Sequence, residues 1–103
     1  MTQPSGVLAT FYASVTASAP PAQWSSALRA LWHDARGDWS EAHRVAQDID
    51  DETGAWVHAY LHRKEGDAEN AAYWYRRARQ PVARGALDEE RDQIVAALWP
   101  KAG

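Results

Sequence analysis

The sequence predicts an all-α fold, a short stack of antiparallel helix hairpins with extra helices at the two ends. Three observations carry that expectation. Apolar residues recur at helical spacing through most of the chain. Two turns, Arg36-Gly37-Asp38 and Glu65-Gly66-Asp67, combine a glycine suited to the left-handed end of one helix with an aspartate suited to cap the next. The segments around those turns also match each other at a fixed offset. With 103 residues the chain is read as one domain, 1–103, with repeat units at about 24–50 and 54–79 and a C-terminal helix at about 88–99.

Taken in order, residues 5–17 are ambiguous. Val7, Leu8, Phe11 and Val15 fit a helical stripe, but Thr and Ser dilute it. Pro20 and Pro21 end whatever precedes them. A helix is predicted over 24–36, with Ala27, Leu28, Leu31, Trp32 and Ala35 on one face. The next spans 39–49, burying Trp39, Ala42, Val45 or Ala46, and Ile49. Asp38 with Glu41 has the spacing of a capping box. Residues 48–54 read as an acidic turn. A third helix over 55–65 places Val57, Tyr60 and Leu61 inward, and a fourth over 68–79 does so with Ala71, Trp74 or Tyr75, and Ala78. Residues 80–87 form a Pro/Gly loop, Asp88 caps the last helix, and Pro100 follows its end.

Setting residues 28–49 against 57–78, at the 29-residue separation of Gly37 and Gly66, gives identity at Ala30/Ala59, His33/His62, Gly37/Gly66, Asp38/Asp67 and Ala42/Ala71. The identities fall where a hairpin needs small residues between helices and Gly-Asp at its turn. The pattern resembles the tetratricopeptide and SEL1-like families, and residues 72–78, Ala-Tyr-Trp-Tyr-Arg-Arg-Ala, are similar to the end of a SEL1 unit. The resemblance covers about residues 28–78 and implies a domain that binds proteins, peptides or small ligands on the face lined by the first helix of each hairpin. The block 56–78 also looks like a small family of uncharacterised microbial proteins, which implies no function.

Composition narrows the function classes. A net charge of −3 argues against a nucleic-acid binder. The chain has no cysteine, hence no disulfide frame and no thiolate chemistry. No apolar run is long enough for a membrane span, and the N-terminal stretch lacks the basic start of a signal peptide, so a cytoplasmic protein is expected. Six tryptophans are unusual for this length and read mainly as large pieces of a small core.

For chemistry, His58 and His62 stand at i and i+4 on one helical face. The segment lacks the glutamate of a zincin motif. Two histidines without a positioned carboxylate fall short of the three protein ligands of a catalytic zinc, so no metal and no cofactor are expected. Beside the core faces, Arg29, His33 and Arg36 on one helix and His58, His62 and Glu65 on another form polar stripes that adjoin if the hairpins stack as repeats. The expected binding residues are therefore Arg29, His33, His58, His62 and Glu65, with a polar or anionic ligand such as a chain carboxylate as the occupant. Asp48, Asp50, Asp51 and Glu52 on one side and Arg76, Arg77, Arg79 and Arg84 on the other form two opposite-charge clusters. The leading expectation is a protein- or peptide-interaction module. The alternatives are a small ligand-binding protein or hydrolase using the His/Arg groove, and a structural homodimer.

Overall fold

A computed structural model describes residues 5–99, and all its regular structure is helical: α1 (Ser5–Ser14), α2 (Ser26–Ala35), α3 (Trp39–Gln47), α4 (Glu52–Lys64), α5 (Ala68–Ala78) and α6 (Leu87–Leu98). The ambiguous N-terminal stretch is a helix, α1. Pro100 lies outside the described residues.

The two turns are built as their sequences dictate. Gly37 and Gly66 sit at φ +85° and +91°, where only glycine is unstrained. In each turn two backbone bonds close the helix end: Asp38 N–H to His33 O at 2.9 Å with Gly37 N–H to Asp34 O at 2.9 Å, and Asp67 N–H to His62 O at 2.9 Å with Gly66 N–H to Arg63 O at 3.1 Å. The aspartates then cap the following helices, Asp38 accepting from Glu41 N–H at 3.1 Å and Asp67 from Asn70 N–H at 3.2 Å. The capping box at α3 forms only in part. Glu41 turns away to Arg44, whose Nε donates to it at 2.9 Å, because the Asp38 N–H it would accept is already bound to His33 O.

Three helix starts differ from expectation. α2 begins at Ser26 and not at 24, because Ser25 caps it by accepting from Leu28 N–H at 3.3 Å. α4 begins at Glu52, inside the predicted acidic turn, because Asp51 accepts from Gly54 N–H at 3.0 Å and from the Thr53 hydroxyl at 2.8 Å. Gly54 is thus a first-turn residue, and its role is close packing. A Cβ there would meet Ile49 Cβ at 2.5 Å and Ile49 O at 2.6 Å. α6 starts at Leu87 after Ala86, with no side-chain cap. Asp88 lies in its first turn with Glu89 and Glu90, where negative charge favours the helix dipole.

α2 packs on α3 and α4 on α5 as hairpins, α3 packs on α4, and α6 closes over α1, α2 and α4. The main core contains Phe11, Trp24, Leu28, Leu31, Trp32, Val57, Tyr60, Leu61, Ile94 and Val95. A smaller one joins Ala59, Ala71 and Tyr75. Trp24 and Trp32 are buried, while Trp39, Trp56, Trp74 and Trp99 are partly buried against these cores.

Two carboxylates are buried with the apolar residues. Asp34 accepts from Tyr60 Oη at 2.6 Å, Lys64 Nζ at 2.7 Å and Arg91 Nη1 at 3.2 Å. Glu90 accepts from Tyr75 Oη at 2.6 Å, Trp56 Nε1 at 3.3 Å and Arg63 Nη1 at 3.0 Å. Burying a charge is costly unless paired, and both are paired several times over. Through Arg91 and Glu90 these networks tie α6 to α2, α4 and α5. No described helix is long and apolar enough to cross a membrane.

Candidate functional site

The site begins at Trp39, the first residue of α3. Its indole Nε1–H donates to Leu61 O at 2.8 Å, which pins the start of α3 to the last turn of α4. One helical turn on, His43 stacks on Trp39 with ring centroids 4.9 Å apart. This places His43 against the α4 face that carries His58 and His62. His43 Nε2 lies 2.9 Å from His58 Nε2. The ring centroids stand 4.6 Å apart for His43–His58, 5.2 Å for His43–His62 and 4.8 Å for His58–His62. From the other side Trp74 of α5 stacks on His58 at 4.1 Å. Three helices therefore converge on one imidazole trio flanked by two indoles.

Each ring has a defined setting. His58 and His62 are buried, with 7% and 8% of their surface exposed, and His43 is half-buried. His62 Nδ1 is 2.7 Å from Glu65 Oε2. A carboxylate accepts, so Nδ1 carries a proton, and in the neutral ring the lone pair of His62 is left on Nε2. Between His43 and His58 one Nε2 must donate and the other accept. Burial, then the adjacent His43 and His62, push the His58 pKa down to about 4. Burial, then His62, also lowers His43. Both rings are thereby biased to the neutral form, which keeps lone pairs available.

Beside His58 a cleft of about 240 Å³ opens to the surface. Its lining includes Trp74, Arg77, Asp50, Asp51 and Glu52. The acidic run and the arginine run thus meet within the chain, and Arg79 pairs with Glu52 at 3.0 Å across exposed surface.

The five residues expected from sequence divide between two places. His58 and His62 belong to the trio, and Glu65 is hydrogen-bonded to His62. Arg29 and His33 line a separate depression of about 360 Å³ with Pro20, Glu41, Arg44 and Val45. The reason is the position of α3, which packs on both α2 and α4 and brings its own histidine to the α4 face. His33 instead sets its ring edge-on to Trp32 at 5.0 Å. Sequence reading missed His43, since the repeat offset pairs it with Ala72. Its local signal was the Trp39/His43 spacing of four, which puts the ring on the face that Trp39 anchors. The expectation of no metal rested on two histidines without a third ligand. His43 supplies a third imidazole, and one nitrogen from each of the three lies within 4.8 Å of the others. Comparison with protein-family models, curated proteins and solved structures yields no match to this chain.

Proposed function

We propose that the protein is a small-ligand-binding domain whose binding centre is the trio His43, His58 and His62, approached through the cleft beside Trp74. The observation that carries this reading is the convergence itself. Three polar rings from two helices meet at a buried place where apolar side chains would pack at lower cost. The imidazoles touch one another, yet among the described residues the hydrogen bonding between the rings is one Nε2–Nε2 contact, His43 to His58 at 2.9 Å. An occupant that engages those nitrogens converts the arrangement from a burden on folding into a site.

A second reading, a peptide-interaction surface, has its own support. The cleft is open, and Asp50, Asp51 and Glu52 share its lining with Trp74, a setting that suits a Lys- or Arg-bearing segment by charge and by cation–π contact.

A thermal-shift panel on the full chain separates these. The probes are zinc(II), inorganic phosphate, acetate and a Lys/Arg-rich peptide, each against wild type, His58→Ala and Arg29→Ala. The ligand-binding reading expects at least one small probe to raise Tm in wild type and Arg29→Ala but not in His58→Ala. Stabilisation by the peptide alone, lost on Glu52→Gln, favours the interaction surface. No response to any probe contradicts both.

A further inference from the structure

Resting on the ligand-binding reading above, we propose that His43, His58 and His62 form a three-imidazole site for one divalent transition-metal ion of the zinc(II) class, with Glu65 as the residue that positions His62. The geometry is close to what such an ion needs. Two nitrogens bound at ~2.1 Å to one tetrahedral zinc stand about 3.4 Å apart. His43 and His58 already bring Nε2 atoms to 2.9 Å. The widest separation allowed within the trio is 4.8 Å, which closes by ring shifts of under about 1 Å.

The donor set selects the class of ion. Imidazole nitrogen suits zinc, copper, nickel and cobalt, while magnesium and calcium demand oxygen. Three protein ligands with a cleft alongside match an open site whose fourth position takes water or a small ligand. The surroundings match as well. A ligating histidine characteristically donates its other N–H to a carboxylate, and His62 does so to Glu65 at 2.7 Å. Trp39 and Trp74 clamp His43 and His58 by stacking, so the rings are oriented before any ion arrives.

A different arrangement would have told against a metal. Had α3 carried an apolar residue at position 43, the α4 pair would be two histidines in a helix face and nothing more. Glu65 and Asp67 also approach His62 closely enough to form a second candidate group. Asp67, however, is committed to capping α5 through Asn70 N–H at 3.2 Å, so the imidazole trio is the better donor set.

The test uses the full chain, freed of metal by chelator and dialysis, and titrated with zinc(II) by calorimetry. Cobalt(II) in a parallel sample reports coordination through its visible ligand-field absorption. We expect one zinc per chain, a cobalt spectrum of a four-coordinate nitrogen-rich site, and no heat with magnesium. His43→Ala and His58→Ala should each abolish stoichiometric binding. Glu65→Gln should weaken it by about 10–100-fold while keeping the stoichiometry. His33→Ala, outside the trio, should bind as wild type does. Circular dichroism checks that each variant is folded. If His58→Ala fails to fold, His43→Ala on the half-buried ring and the wild-type titration still decide. Absence of stoichiometric zinc uptake by wild type, or uptake unchanged in folded His43→Ala, overturns the metal site. Phosphate or acetate stabilisation in a wild type that takes no zinc overturns the metal while leaving the ligand-binding reading in place. A wild type that answers neither zinc nor anions removes both.

Discussion

At the scale of single residues, the molecule turns on positions whose chemistry is fixed by one torsion or one close neighbour. Gly66 has φ +91° with open space around its Cα, so a side chain there is opposed by backbone conformation and not by collision. Gly66→Val should therefore cost about 2 kcal/mol in urea unfolding, and Gly66→Asn distinctly less. Gly54 is the opposite case. Its helical conformation accepts alanine, and propensity alone would favour the change by about 1 kcal/mol. The phantom Cβ, however, meets Ile49 Cβ at 2.5 Å and the Ile49 carbonyl at 2.6 Å. Gly54→Ala should be net destabilising by about 1–2 kcal/mol, and Ile49→Ala should not rescue it, because the carbonyl remains. His58 makes stability depend on pH. Its folded pKa of about 4 lies below the ordinary 6.5, and His43 is lowered too, so between those values the unfolded chain binds more protons. Their contribution is present above about pH 6.5 and is lost as pH falls toward 4. Urea midpoints of the metal-free protein at pH 7.5 and pH 5 should show this drop, and His58→Gln should shrink it. An equal drop in that variant would assign acid sensitivity elsewhere.

At the scale of elements, the sequence made plain what is local and hid what is not. The hairpin turns at 36–38 and 65–67 were legible because glycine and aspartate act within a few residues of themselves. The inward faces of α2 and α4 were legible because Leu28, Leu31, Val57, Tyr60 and Leu61 repeat at helical spacing. α1 was not, since Ser and Thr dilute its stripe and its packing partner, α6, lies at the far end of the chain. Nor were Asp34 and Glu90. A charged residue ordinarily faces water, and their partners stand 15 to 57 residues away. His43 was hidden for the same reason, as His58 lies 15 residues on. The buried carboxylates carry the element-scale prediction. Glu90→Ala strands Arg63 and Tyr75 in a low-dielectric setting and should destabilise by about 3–5 kcal/mol. Tyr75→Phe, which removes one donor from the same carboxylate, should cost about 1–3 kcal/mol. If Glu90→Ala proves neutral in thermal denaturation, α6 is not held as described.

At the scale of the whole molecule, two kinds of polar cluster sit in one small helical body. The Asp34 and Glu90 clusters are saturated with donors and join α6 to the remaining helices, which fits a structural role. The histidine trio is the reverse: its rings meet chiefly each other and two indoles, beside an open cleft. The 29-residue offset pointed to His62 through its match with His33, yet those two positions share only the turn geometry, each lending its carbonyl to a glycine turn. The claim that matters most is that His43, His58 and His62 act as one unit while His33 stands apart. Nitrogen-15 imidazole spectra of histidine-labelled protein, recorded before and after saturation with zinc(II), test it most directly. The account predicts that the resonances of His43, His58 and His62 move together at one equivalent while those of His33 hold still. Movement of His33 with the others unshifted, or no movement in any of the four rings, would contradict it.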